Sequence, residues 1–366
     1  MKKIVCFLIF MSVALSFFQP AYAAEENGAQ DQLDMFDFSE LDSASGVDVK
    51  DLATKAIAGQ LDLSPANLGK QALNLLFHEI TDNWRLIRNL LLIAVLCAVL
   101  QNLTDSFKNK SVGELGFYVG YMALVMVLFA SFSNTIGIMA GIVDVMTDVM
   151  SAAIPIALGL LAISGNITTA TMFSPIFAFV IELLTLFVRH VLTPMLIFAT
   201  GLEIVNFITE KEPLSKFAEL IRVVAKWSIN AIAIIFLAVL SLQKLSAPIL
   251  NNIALKTAKA AANAIPVVGG MINGAFDAVL YWGVAAKSGM LVALVVAMTL
   301  AVALPIIKIL AMLLIYQLTS AIVQPISDER VVDCIESIGK SCALILQAGV
   351  TVSVMFIVSV VILLAF

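Results

Sequence analysis

Apolar runs too long for a soluble core constrain this chain more than any motif in it. No charged residue occurs from Met290 to Leu304, and none from Cys342 to Phe366. Stretches of that kind cross lipid as helices, because each peptide N–H and C=O must then find its partner within the segment. The composition agrees: 61% of the 366 residues are hydrophobic and 13% charged, whereas soluble domains carry about 25% charged residues. The expected fold is all-α, a polytopic membrane bundle of about 8–10 helices.

The chain opens differently. Met1–Ala23 has the layout of a secretory signal peptide: Lys2 and Lys3, the apolar run Ile4–Phe18, then Pro20 and the small-residue site Ala21-Tyr22-Ala23. Cys6 would leave with it. Cys97, Cys334 and Cys342 remain, an odd set in or near membrane helices, which indicates neither a disulfide framework nor a metal site. Residues 24–85 read as a short extracytoplasmic segment, acidic and partly disordered. Between Ala24 and Gln60 only Lys50 and Lys55 oppose Glu25, Glu26, Asp31, Asp34, Asp37, Glu40, Asp42, Asp48 and Asp51. A solvated linker is the expectation there, with Leu33, Met35, Phe36, Phe38 and Leu41 as docking residues should a partner exist. Helical spacing sets in at Val49, and Trp84, Arg85 and Arg88 stand where interfacial anchors belong.

Residues 86–366 form the membrane domain. Leu86–Leu103 and Leu115–Asn134 read as spans, Gly137–Met150 as amphipathic, and Ala152–Ile163 as an apolar element interrupted by Pro155 and Gly159. Pro175–Val188 and Val191–Ile208 follow, then a charged connector, Glu210–Lys226, and a span at Trp227–Leu242. The stretch Ala261–Asp277 holds Pro266, Gly269 and Gly270, where a broken element in lipid needs cover from protein or a water-filled cavity. Gly289–Leu304, Ile306–Val323, the connector Gln324–Lys340 and Cys342–Phe366 complete the chain.

Laying the chain on itself indicates an internal duplication. Ile154-Pro155 falls on Ile265-Pro266, Gly159 on Gly270, and Pro194 on Pro305, all at a shift of 111 residues. The repeat units would be 115–226 and 227–340, a plan common among transporters. Whether the halves are parallel or inverted depends on whether the Ile-Pro elements cross or re-enter. The Lys and Arg of the loops divide equally well under both arrangements.

Motifs of catalysis are missing. There is no phosphate-binding glycine loop followed by Lys-Ser/Thr, no His-Glu-x-x-His, no Gly-x-Ser-x-Gly and no Cys-x-x-Cys, and the only histidines are His78 and His190. The chain is not expected to be an enzyme, to hold a cofactor or metal, or to bind nucleic acid. Its informative charges lie at membrane depth, where each costs about 2.5–3.5 kcal/mol at mid-helix. Glu182, Glu203 and Lys308 qualify. Either carboxylate is available to pair with Lys308, or the lysine snorkels to the surface. With Pro155, Gly159, Pro266, Gly269 and Gly270 they make up the candidate structural or pore residues.

The signal peptide, the acidic external segment, Ile265-Pro266-Val267-Val268-Gly269-Gly270 and Gln324-Pro325-Ile326-Ser327-Asp328 together resemble the stage III sporulation protein AE family of endospore formers. The segment after Gly270, Met271–Asp277, departs from that pattern, which offers a Ser-Asp pair nearer the glycines. The resemblance implies a polytopic subunit of a channel or secretion-like complex between mother cell and forespore. It also implies a place in the mother-cell membrane around the forespore and partners from the same operon. Those would be a secretion-type ATPase, ring-forming components and, across the gap, a forespore membrane protein. The alternative is a stand-alone secondary transporter with duplicated halves.

Overall fold

The computed structural model describes residues 26–61, 65–106, 110–166, 175, 178–179, 181–206, 214–236, 238–239 and 269–364. Met1–Ala23 and Pro266 lie outside them. Every regular element among these residues is helical: α1 (Glu26–Leu33), α2 (Ser39–Ser45), α3 (Val49–Ile57), α4 (Pro65–Asp82), α5 (Trp84–Ser106) and α6 (Lys110–Ile163). After α7 (Ile181–Asn206) and α8 (215–236) come α9 (Gly269–Val323) and α10 (Glu329–Leu364). Five of them, α5, α6, α7, α9 and α10, are long and apolar enough to cross a membrane. The molecule is an all-α membrane helical bundle.

Fewer and longer helices carry the apolar runs than the sequence breaks imply. The span 115–134, the amphipathic stretch and the Ile-Pro element are one helix, the 54-residue α6, with Pro155 inside it. A proline costs a helix one hydrogen bond, but Ala153, Ile156, Ala157 and Leu160 on either side of it are buried, and packing outweighs the lost bond. Pro305 is absorbed in the same way into the 55-residue α9. In α7 the two expected spans join through a π-helical turn, Val188–Leu192, just ahead of Pro194. Gly269 and Gly270 are the first described residues of α9 and lie in helical backbone.

α6 and α9 run antiparallel. The Tyr316 hydroxyl donates to Ser131 Oγ at 2.7 Å, and a Cβ at Gly283 would stand 3.0 Å from the Ile163 side chain. Between these contacts lie 32 residues of α6 (131 to 163) and 33 of α9 (283 to 316). At about 1.5 Å per residue the two helices stay side by side for roughly 50 Å. α10 lies against both: Gly339 faces Tyr316 and Gly349 faces Ile142.

The acidic segment is helical and packed, where a solvated linker was expected. Asp48 caps α3 by accepting from the Asp51 N–H at 2.8 Å. Gly46, at φ 73°, takes the left-handed turn that ends α2. Leu33, Phe38, Leu41, Val49, Ala53 and Ile57 are buried. Their partner is the chain itself. The Phe36 ring fills the space a side chain at Gly159 would need, and Ile57 does the same at Gly289, where the Ala53 carbonyl is also close. The apolar faces thus point at α6 and α9, and the carboxylates remain outside.

Candidate functional site

Three helices meet around one buried ion pair. Glu203, about three turns beyond the π-helical turn on α7, pairs with Arg222 of α8. Their side chains are only 12% and 14% exposed. From α10, the Ser337 hydroxyl donates to Glu203 Oε2. Arg222 Nη2 lies 2.8 Å from the Ser337 carbonyl oxygen and 2.7 Å from Ser341 Oγ. Thr200, one turn before Glu203, donates to Ser341 Oγ at 2.7 Å. The spacing explains the assembly. Thr200 and Glu203 (i, i+3) share a face of α7, and Ser337 and Ser341 (i, i+4) share a face of α10.

The electrostatics follow from burial. Desolvation lowers the Arg222 pKa from its ordinary value, and the adjoining Glu203 carboxylate offsets part of that. Arg222 Nε is buried without a hydrogen-bond partner among the described residues. A charge in apolar surroundings persists only when paired, so Glu203 and Arg222 hold each other in place and tie α7, α8 and α10 together.

The other charged candidates lie apart from this cluster. Glu203 is taken by Arg222, not by Lys308. Lys308 stands 3.9 Å from Glu79 of α4, with 41% of its side chain exposed. Glu182 is exposed on α7, far along the helix from Glu203. Pro155 is exposed on α6, one turn before the Gly159 notch. Arg222 went unrecognised because it sits in a segment that reads as a charged connector. Its flanks, Leu220-Ile221 and Val223-Val224-Ala225, carry the signal: one arginine among five apolar residues.

A second polar joint involves the connector motif. Asp328 caps α10, accepting from the Arg330 N–H at 2.8 Å and from Arg330 Nε at 3.0 Å. Gln101 of α5 donates to its other oxygen, and Ser327 Oγ donates to the Ala94 carbonyl at 3.2 Å. The Arg330 guanidinium lies 4.7 Å from the centroid of the Phe117 ring. Burial alone would raise the Asp328 pKa; the hydrogen bonds from Arg330 and Gln101 outweigh it and hold the carboxyl below its ordinary value. The Gln-Pro-Ile-Ser-Asp run therefore fastens the start of α10 to α5.

Residues 47–366, which include both joints, match the stage III sporulation protein AE family. The chain belongs to that family. It is 33% identical over 304 residues to the stage III sporulation protein AE of Bacillus subtilis (strain 168), covering 83% of this chain and 76% of that one. No solved structure matches. Within this stage III sporulation protein AE domain, both polar joints are made from residues of the matched region.

Proposed function

We propose that the protein is a non-enzymatic, multi-pass subunit of a channel or secretion-like complex that joins mother cell and forespore during sporulation. It would reside in the mother-cell membrane surrounding the forespore. Membership of a stage III sporulation family is the observation that carries this reading. The architecture is compatible with it. Glu203 is neutralised within the chain by Arg222 and serves to join helices, as expected of a rigid subunit. Energy would come from a partner, since the chain has no nucleotide-binding glycine loop. The partners expected are the secretion-type ATPase and ring-forming proteins of its operon, and a forespore membrane protein. The candidate pore or structural residues Pro155, Gly159, Pro266, Gly269, Gly270, Glu182, Glu203 and Lys308 belong to the same proposal.

Affinity purification of a tagged chain from sporulating cells tests it. Recovery of a large assembly containing the operon's ATPase and ring components is the expected result. Recovery of the chain alone, with solute uptake by the purified protein in vesicles, would favour a self-sufficient transporter.

A further inference from the structure

α6 has one face that does not suit lipid. Met139, Ile142, Val143, Met146, Val149, Met150 and Ala153 are buried against the rest of the bundle. The opposite face carries Gly137, Gly141, Asp144, Asp148, Ser151 and Pro155, which at 100° per residue fall within a narrow strip. Among the described residues it is largely uncovered, with Gly141 and Asp144 half-buried. Gly137, Asp148, Ser151 and Pro155 are exposed. At Gly137 and Gly141 the place of a Cβ has no neighbour within 4 Å.

Faces turned to lipid look different in this molecule. Higher on α6, Val119, Met126 and Phe129 are exposed, and α9 exposes Leu300 and Leu304. The antiparallel register puts Leu300 and Leu304 at the height of Asp148 and Asp144. Large apolar side chains thus cover α9 at the level where α6 presents carboxylates. The neighbouring α7 extends the polar surface. Arg189, within the π-helical turn, pairs with Asp144, and the Thr147 and Thr185 hydroxyls are 3.0 Å apart. Asp148 and Glu182 are exposed, and neither has an ion pair among the described residues. From Gly137 to Pro155 the strip is roughly 27 Å long, close to the hydrocarbon thickness of about 30 Å.

We propose that this strip lines a water-filled path enclosed by further copies of the chain. The proposal rests on the reading of the protein as a channel subunit. Lipid is a poor occupant, since each uncompensated carboxylate at bilayer depth is costly. A dry protein interface is equally poor, because no described residue on the strip's own side forms an ion pair with Asp148 or Glu182. Water satisfies both. One helix pair cannot enclose it, but a cyclic assembly brings the same strip of every copy to the axis. The Asp144–Arg189 pair is neutral, so Asp148 and Glu182 leave each copy's share of the path negative. Such a path favours cations and neutral solutes over anions.

Thiol labelling of the full-length protein in native membranes tests this. In a background with Cys6, Cys97, Cys334 and Cys342 replaced by alanine, single cysteines go in at Gly137, Gly141, Ser151, Leu300 and Leu304. Each variant is compared at matched membrane-fraction abundance with the same chain solubilised and unfolded. A membrane-impermeant cationic thiosulfonate should consume the free thiol of Gly137→Cys, Gly141→Cys and Ser151→Cys and leave Leu300→Cys and Leu304→Cys unreacted. At Ser151→Cys the cationic reagent should react faster than its anionic counterpart, and adding Asp148→Asn should shrink that ratio. Loss of labelling at all three strip positions would overturn the proposal, since lipid or a dry partner would then cover them. Equal labelling of strip and leucine positions would also overturn it, by placing this level outside the membrane. Absence of the operon's proteins from the purified assembly would leave the labelling pattern untouched, so the two readings fail separately.

Discussion

Glu203 and Arg222 have to be considered as a unit. Removing one strands the other in a low-dielectric site, whereas removing both leaves no buried charge. Arg222→Ala should therefore destabilise the protein by about 3–5 kcal/mol, and Glu203→Gln with Arg222→Met by much less. Thermal unfolding of the purified protein in detergent reads both, and equal losses would reject the coupling. Lys308 should behave otherwise. At 3.9 Å from Glu79 and 41% exposed, its replacement by alanine should cost less than about 1 kcal/mol. Membrane abundance near wild type is the expected reading. Asp328 adds a pH dependence. Its carboxyl sits below its ordinary value of 3.8 when folded, so its contribution is complete above that value. The contribution falls away as pH drops through the lower folded value. Acid unfolding of Asp328→Asn should lose that pH-dependent part while the wild type keeps it. Much of this chemistry was legible as residue types. Hydropathy marked Glu203 and Lys308 as costly charges, but hydropathy carries no distances. Ser337 lies 134 residues from Glu203, and no local pattern says that the two helices touch.

Helices, not breaks, dominate the next level. Pro155 and Pro305 read as interruptions, yet each lies within continuous helical backbone. Local propensity penalises proline, and only the buried neighbours on the other elements reveal that packing prevails. For the same reason the acidic segment was legible as helical from Val49 but not as packed. Its apolar residues are spaced for docking, and the surfaces that receive them belong to helices more than a hundred residues on. The glycine notches make that docking testable. A side chain at Gly289 meets the Ala53 carbonyl as well as Ile57, so side-chain rotation cannot relieve the clash. Gly289→Leu should release α3, and limited trypsin digestion should cut faster at Lys50 and Lys55. Gly201→Leu, where no atom lies within 4 Å, is the control and should digest like wild type. Gly159→Leu should have an effect between the two, since it meets the far edge of the Phe36 ring, which has room to turn.

At the scale of the molecule, α6 and α9 stay in contact for roughly 50 Å, against a hydrocarbon core of about 30 Å. Some of that contact therefore extends past the lipid, or the pair crosses it at a steep tilt. The apolar runs announced membrane helices plainly but not this excess, because composition does not say where one crossing ends. N-terminal sequencing gives a further check. The mature protein should begin at Ala24, and a chain that kept Met1 would contradict a cleaved signal. The packing of α3 on α9 also orders events in time. Ile57 leaves the ribosome 232 residues ahead of Gly289, the position it packs against. At synthesis rates of about 5–20 residues per second, α1–α3 wait on the order of 10–50 s for that surface to be made. Throughout that interval Leu33, Leu41, Val49 and Ile57 have no native cover from α9. The apolar face of α3 is thus made early and buried late, and its side chains stay open to non-native contacts during the delay.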